Sequence, residues 1–439
     1  RTKLKTMKGK HRLKNMFFTD PRTKKRKLMH NDREWRSSLV KFNKYLDTVR
    51  VETKGKFFAD CKQFLSGSDK EFQIGLKMFY EAGNYPEMHC IDHLSACGDE
   101  VDAIVNALGD ADKSILWMDA ILGIWAWSTT NEMQNYLIGR GVLEYISPGA
   151  DNHILFSVCT RQVAKAAAGL LSSITTQADH CITLIDHGTL LACLDILEGP
   201  KARDLETKEH LLQTIHHCLL EAEVLGNVYD AINTRPESAI IRKHEKTFVE
   251  RIMGIFTSVS DNNKGSKDIL TTVATILGIV CCDRKCADEY FHLPTAYTWI
   301  TKHLKESVDG HDPEDSDSIS VIIGLGKCMW CSAYFLAEEH EIDPAIFDVL
   351  MSMLTFGNSK VCLSALAALA CFEYPTPEYN EQFVGLLDTL LLKENNICKK
   401  YALTVLARQA ALFPEKVLKS ESVAHIIHLA SSSACVLRL

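Results

Sequence analysis

The residues whose types suit metal or thiol chemistry are cysteines that stand close together along the chain. Cys328 and Cys331 have the two-residue separation that zinc ligands often use, and Cys281, Cys282 and Cys286 form a second group. A zinc site would need a second ligand pair at a suitable distance, and none accompanies Cys328 and Cys331, which lie in an apolar helical run. The sequence therefore predicts packed thiols in both groups and no metal site.

Histidines and glycines give no stronger signal for catalysis. His216 and His217 stand on a predicted helix with no carboxylate that the sequence places beside them, and His89–His93 is interpreted as ordinary imidazoles around a packed thiol. Gly324–Lys327 has two glycines but lacks the rest of a dinucleotide-binding fingerprint, so it predicts close helix packing. No nucleophile-elbow, metalloprotease or Walker motif occurs. We expect a protein that is not an enzyme and uses neither a cofactor nor a small-molecule substrate.

The elements that carry these residues repeat along the chain. The segment from Ala120 reads AILGIWAW and is followed by YLIGRGVLEYI from Tyr136. The segment from Ala166 reads AAAGLLSS and is followed by TLIDHGTLLACL from Thr183. The glycines of one copy match those of the other at an offset of 46 or 47 residues. Self-similarity at such a period is typical of proteins built from stacked repeats.

Fainter copies extend the series in both directions. They lie around Gly75, Gly278 and Gly324 and in the alanine-rich runs from Ala365 and Ala402. Large aliphatic residues recur at helical spacing in the copies, and no alternating run predicts a strand. The sequence therefore predicts an all-α chain of about seven to nine units, irregular in the middle, over about residues 200–262.

Two features of the clear copies predict local geometry. Gly141 and Gly188 fit a sharp turn between two helices, where a positive φ costs glycine little. Small residues recur every three to four positions from Ala166 to Ile174, which lets neighbouring helices approach closely. We therefore expect equivalent turns at the two glycines and a buried helix around Gly169.

The segment from Ala166 to Leu197, with its small residues, GLL, polar turn and LIDHGTLLACLDIL, resembles an armadillo repeat. The copy from Ala120 to Ile146 resembles the same unit, and the similarity covers about residues 70–430, by spacing alone outside these two copies. HEAT repeats have a similar period and two helices per unit, and they are the structural alternative. Either resemblance implies a right-handed α-solenoid, a superhelix whose long concave groove holds other proteins.

Composition is consistent with one continuous repeat domain. Hydrophobic residues make up 46% of the chain, and no Pro/Gly/Ser-rich linker interrupts residues 50–430. Solenoids escape the size limit of a single core because they grow in one dimension. The sequence predicts a basic arm over residues 1–48, extended or partly helical, and the solenoid over 49–439 with an acidic loop at 308–320.

Expectations about compartment follow from what the sequence lacks. No run approaches the eighteen or so apolar residues of a membrane helix, so no membrane partner is expected. Neither a secretory signal nor a disulfide-framework spacing of the cysteines is seen. We expect an intracellular protein, cytoplasmic or cytoskeletal and ciliary, with the nucleus or an organelle matrix as alternatives.

Charge is divided unevenly between the arm and the rest of the chain. Residues 1–30 hold twelve Lys or Arg and one acidic residue, which leaves 37 basic and 55 acidic residues and a formal charge of −18 elsewhere. Such basic segments are usually disordered until they bind something anionic. The arm residues expected to contact that partner are Lys8, Lys10, Arg12, Lys14, Phe17, Phe18, Arg22, Lys24, Lys25, Arg26 and Lys27.

Three kinds of partner suit the arm. RNA phosphates would attract it through counterion release, with Phe17 and Phe18 stacking on bases. An acidic protein surface would attract it equally, whether that of tubulin or this chain's own groove. The nuclear import machinery is the third, because Lys24–Lys27 fits a nuclear-localisation tetrapeptide. A solvated tail without a fixed partner is the alternative.

A basic segment ahead of armadillo repeats also resembles importin-α. That family holds cargo lysines with tryptophan–asparagine pairs four residues apart, and Trp127 with Asn131 is such a pair. The resemblance implies that these two residues line the groove. Near Trp330 the corresponding position is Tyr334, so the repeated ladder of pairs is missing. The leading hypothesis is a protein–protein interaction scaffold or structural subunit of a larger assembly, and an importin-α-like nuclear transport adaptor is the alternative.

Overall fold

The computed structural model describes residues 59–418 apart from short gaps, together with residue 423. The gaps are 85–90, 96, 150–159, 200–201, 203, 235–245, 262–266, 292–293, 311–315, 337–343, 373–376, 393–395 and 413. The basic arm and its expected contact residues, Lys8 to Lys27, lie outside the described residues. Their role stays a prediction.

Every regular element in these ranges is helical. In chain order the α-helices are α1 (Asp69–Gly83), α2 (Ile91–Ser95), α3 (Gly98–Gly109), α4 (Trp117–Trp127), α5 (Asn131–Gly139), α6 (Val142–Ile146), α7 (Arg161–Ile174), α8 (Ala178–Asp186), α9 (Thr189–Glu198), α10 (Leu205–Leu225), α11 (Val228–Asn233), α12 (Phe248–Asp261), α13 (Lys267–Cys282), α14 (Arg284–Cys286), α15 (Pro294–Asp309), α16 (Ser316–Leu336), α17 (Pro344–Met353), α18 (Ser359–Cys371), α19 (Pro377–Leu392), α20 (Asn396–Leu412) and α21 (Pro414–Leu418). A short 3-10 helix (Ala111–Lys113) precedes α4, and a π-helix (Ala287–Phe291) continues α14. The described residues contain no strand, so the predicted all-α class is confirmed for them.

Eight of these helices form a continuous row in which each member contacts the next. The row, here called the central row, consists of α1, α4, α7, α10, α13, α16, α18 and α20. Near the start of α13 and α16, Thr271 Oγ1 donates to the Asp317 carbonyl over 3.4 Å. Near their ends, Cys331 Sγ donates to the Cys281 carbonyl over 2.9 Å, so the two helices run parallel. Parallel helices packed in sequence order are the predicted repeat stacking, while the repeat number and the superhelix handedness stay predictions.

The two clear sequence copies use the same turn. Gly141 precedes α6 with φ +87°, and Gly188 precedes α9 with φ +69°. This left-handed backbone costs other residues about 1–2 kcal/mol, which explains glycine at both positions. The hydroxyls of Ser147 and Thr189, which follow these turns, share a buried 2.8 Å hydrogen bond that joins the two units. The predicted equivalence of the two turns is confirmed.

Glycines let members of the central row pack at close range. A Cβ on Gly324 of α16 would collide with the backbone carbonyl of Ala274 in α13. A Cβ on Gly326 would lie 2.9 Å from Ser364 Cβ in α18. The glycine motif of α16 therefore serves helix packing on both sides, as the sequence predicted.

The middle of the chain, predicted to be irregular, contains α10, α11 and α12. Asp204 caps the amino end of the 21-residue helix α10, and its carboxylate accepts from the Thr207 amide over 2.9 Å. Gly226, which has φ +68°, caps the carboxyl end. The repeat motif is therefore missing from this part of the sequence because α10 has different packing residues. The helix itself is regular, and the central row continues through it.

The acidic connection before α16 is shorter than the predicted loop at 308–320. Val308 and Asp309 belong to α15, and Ser316 already begins α16. Contrary to expectation, Ser316–Phe335 is long and apolar enough to cross a membrane by length and composition, with a mean hydropathy of 1.3. Half of this window is buried, and α16 packs between α13 and α18, which is the setting of a core helix in a stack.

Candidate protein-binding surface

The structure places the first residue of the predicted tryptophan–asparagine pair in the core. Trp127 is fully buried, stacks on Phe79 at a centroid distance of 5.3 Å, and donates its indole N–H to the Phe79 carbonyl over 2.8 Å. This corrects the assignment of Trp127 to the groove, because the ring offers no surface to a partner. Asn131 is exposed at the start of α5, and its role stays a prediction.

The neighbouring Trp125 lies on the opposite side of α4. Its indole lies over Gly169 of α7, where a Cβ would collide with the ring. It also meets the edge of His210 in α10 at a centroid distance of 6.0 Å, so α4 contacts a helix two steps further along the central row. The side of α4, α7 and α10 that carries this contact is called the inner side below.

Polar contacts join α7 to α10 next to this aromatic contact. Ser172 Oγ donates to Gln213 Oε1 over 3.0 Å, and the Lys165 ammonium pairs with the Glu206 carboxylate. Each contact joins one side chain of α7 to one of α10. These contacts fix the relative rotation of the two helices and therefore decide which residues of α10 face the inner side.

Three histidines of α10 lie along the same contact. Burial lowers the pKa of His210 and of His217, and burial together with the adjacent His217 lowers the pKa of His216 to about 4. The rings of His216 and His217 are 5.7 Å apart, and His217 Nδ1 lies 3.0 Å from Thr175 Oγ1. The three imidazoles are therefore neutral at physiological pH and act as packing and hydrogen-bonding groups.

Acid is expected to destabilise the protein through His216. Because its folded pKa of about 4 lies below the ordinary value near 6.5, the unfolded chain binds the proton first. The free energy of unfolding should therefore fall as pH decreases from about 6.5 toward 4, and it should not change through this group above that range. For a ring that is partly exposed we expect a contribution of about 1–2 kcal/mol at the acidic end.

Urea denaturation of the wild-type protein and of His216→Gln at about pH 7.5 and about pH 4.5 measures this contribution. The variant should lose less stability on acidification than the wild type. Equal losses in the two proteins would contradict the assignment to His216.

Exposed apolar side chains concentrate on two members of the central row. Leu220 and Val224 of α10 are 39% and 79% exposed, and Trp330 and Tyr334 of α16 are 40% and 67% exposed. A spacing of four residues puts both members of each pair on one helix face. Apolar groups exposed together mark interaction sites more often than singly exposed ones do. These four residues are called the apolar patch below.

The helix between the two halves of the patch, α13, packs closely against α16. A Cβ on Gly278 would lie 3.3 Å from Gly324 Cα and 3.4 Å from Lys327 Cδ of α16. Cys282 at the end of α13 is exposed; a hydrogen bond from Cys281 and the charge of Lys327 lower its pKa to about 7, while burial and Glu223 of α10 oppose that shift. Because α13 packs against both α10 and α16, the two halves of the patch lie on either side of one helix of the central row.

The sequence did not single out the apolar patch as a site. Apolar residues at helical spacing usually mark a buried face, and Leu220 and Val224 continue the series of aliphatic residues along α10. The one signal in the sequence was the apolar character of α16 along most of its length, while it packs against α13, α15 and α18. The aromatic pair Trp330 and Tyr334 stands on a face of α16 that remains exposed.

Of the thiols considered for metal chemistry, Cys282 is exposed, contrary to the prediction of a packed thiol, and the others that the structure describes are buried or half-buried. Cys328 and Cys286 are buried, and Cys331 donates to a backbone carbonyl. Within the described part of the chain, no three His, Cys, Asp or Glu side chains are arranged to hold a metal ion. His89 and Cys90 lie outside that part.

Comparison with known proteins adds one distant structural likeness. No family model and no curated protein matches the sequence. One similar solved structure comes from work on a conserved phosphorylation switch that controls the interaction between cadherin and beta-catenin. It aligns with 79% of this chain and 74% of its own, at a TM-score of 0.48 and 14% sequence identity. The description of the fold given above rests on this chain's own helices and contacts, and these have the stacked helical arrangement that the armadillo resemblance implies.

Proposed function

We propose that this chain is a non-enzymatic scaffold that holds a partner protein along its central row. The observation that carries the proposal is the apolar patch, four large side chains exposed on two helices of the same row. The buried core already runs along the central row, and its packing does not require these four side chains to be exposed. Covering them with a partner removes apolar surface from water, which favours association.

The basic arm is the second element of this proposal. Its twelve basic residues precede a body with a formal charge of −18, so an external anionic surface has to compete with the chain itself for the arm. We propose that the arm docks the scaffold on an anionic assembly such as a microtubule or a ribonucleoprotein, in the cytoplasm or on the cytoskeleton. A transport adaptor of the importin-α kind is less well supported, because Trp127 is buried.

A photo-crosslinking amino acid placed at Tyr334 of the full chain, in cells that express it, tests the scaffold function. The matched control position is Ile115, which is 76% exposed and precedes α4, outside the apolar patch. We expect a defined crosslinked partner from position 334 that is missing from position 115. The same partner recovered at both positions, or at neither, would contradict the proposal.

A further inference from the structure

We infer that the apolar patch takes a basic amphipathic segment, a stretch of partner chain with aliphatic or aromatic anchors flanked by lysine or arginine. This inference rests on the proposed scaffold function and names the chemistry of its partner. It follows from two observations: where the patch lies on its helices, and which charged side chains on α10 border it.

The patch lies at the carboxyl ends of three neighbouring helices. Leu220 and Val224 stand in the last two turns of α10, Cys282 is the last residue of α13, and Trp330 and Tyr334 stand in the last two turns of α16. Helix carboxyl ends carry partial negative charge, and a cation placed there is stabilised. None of the three helices has a basic residue in its own last turn, although Arg284 and Lys285 follow the end of α13.

Carboxylates border the apolar side chains on the same helix. Glu221 and Glu223 alternate with the patch residues of α10, and Glu223 is exposed. Within the described residues neither carboxylate forms an ion pair with a lysine or arginine. Three basic side chains lie close to the patch along the chain: Lys327, whose stem lies against α13 over Gly278, and Arg284 and Lys285, which follow Cys282. Lys285 pairs with Asp230, whereas the carboxylates at the α10 side of the patch have no such pair among the described residues.

Each part of this arrangement selects one property of the partner. The exposed aromatic and aliphatic groups favour apolar anchors, because burying them supplies most of the association energy. The carboxylates and helix ends favour cations on either side of those anchors and disfavour acidic segments and nucleic acid, since like charges at an interface oppose association. A segment that carries both apolar anchors and basic residues satisfies both requirements.

Three fluorescent peptides test this chemistry against the full chain by anisotropy. The first combines Leu and Phe anchors with Lys, the second has Glu at every Lys position, and the third keeps Lys but has Ser at every anchor. We expect the first peptide to bind at least about tenfold more tightly than either of the others, and to weaken as salt is added. Binding of the acidic peptide as tightly as the first would overturn the inference.

Variants locate the binding on the patch. The double variant Glu221→Lys and Glu223→Lys should reverse the preference between the basic and acidic peptides. Val224→Ser combined with Tyr334→Ser should weaken the first peptide by about tenfold or more, whereas Ile115→Ser should not change it. Circular dichroism confirms that each variant is folded. Unchanged affinity in the folded patch variants would overturn the inference.

Two further outcomes separate this inference from its alternatives. A peptide of residues 1–30 that binds more tightly than the first peptide, and loses affinity in the patch variants, would assign the surface to this chain's own arm and overturn an external partner. A crosslinked partner at Tyr334 together with no preference for the basic peptide would leave the scaffold function standing and overturn only the partner chemistry. If no partner crosslinks at Tyr334 either, both the scaffold function and the partner chemistry would be overturned.

Discussion

Replacing Trp127 by alanine is expected to lower the free energy of unfolding by about 3–5 kcal/mol, as for other large aromatic side chains removed from a core. The indole is fully buried, stacks on Phe79 and donates its N–H to the Phe79 carbonyl, so the change opens a cavity and removes this buried hydrogen bond. Urea denaturation followed by far-ultraviolet circular dichroism measures the loss.

The matched control is Trp330→Ala, which removes the same side chain from an exposed position of the central row. There we expect a stability change of no more than about 1 kcal/mol, with a weaker hold on the partner that crosslinks at Tyr334. The two variants thus separate a tryptophan that supports the fold from one that supports binding. A Trp127→Ala protein as stable as Trp330→Ala would contradict the placement of Trp127.

Replacing Gly169 by leucine is expected to cost on the order of 1–3 kcal/mol through overpacking. A side chain at this position meets the Trp125 indole, which lies directly over the glycine. Because stability passes between adjacent units, amide hydrogen exchange should increase first in α4, α7 and α10 and only later in distal helices.

Gly254→Leu is the matched control for this prediction. Gly254 lies within α12 and is exposed, and a Cβ added there would have no other atom within 4 Å. Leucine there should raise stability by about 0.5–1 kcal/mol, because glycine is the poorer helix former. A Gly169→Leu protein that melts like the wild type would show that α7 is not packed against α4 as described.

The turns and small-residue contacts were predictable from the sequence because each demands a particular residue type. Only glycine adopts φ near +70° to +87° without cost, so Gly141 and Gly188 indicate their geometry directly. Gly169 likewise indicates a close approach between helices, although the sequence does not show that the approaching group is Trp125. At these positions the residue type determines the local conformation, whereas the fold determines which side chain contacts the glycine.

The functional surface was less predictable, because the sequence does not show which side of a helix remains uncovered. Trp127 and Trp125 stand two residues apart in one apolar run, and they point to opposite sides of α4. Spacing alone could match Trp127 to a binding pair, but burial against Phe79 depends on the position of α1. The same holds for Trp330, whose exposure depends on how much of α16 is covered by α13 and α18.

The contact of Trp125 with His210 across Gly169 has a mechanical consequence. In a stack where each helix touches only its nearest neighbours, bending is resisted by adjacent interfaces alone. Here the contact of Trp125 with His210 joins α4 to α10 across α7, and lengthening the row at this point separates the two rings. Under tension applied to its ends, the solenoid should therefore be stiffest from α4 to α10 and should stretch first elsewhere along its length.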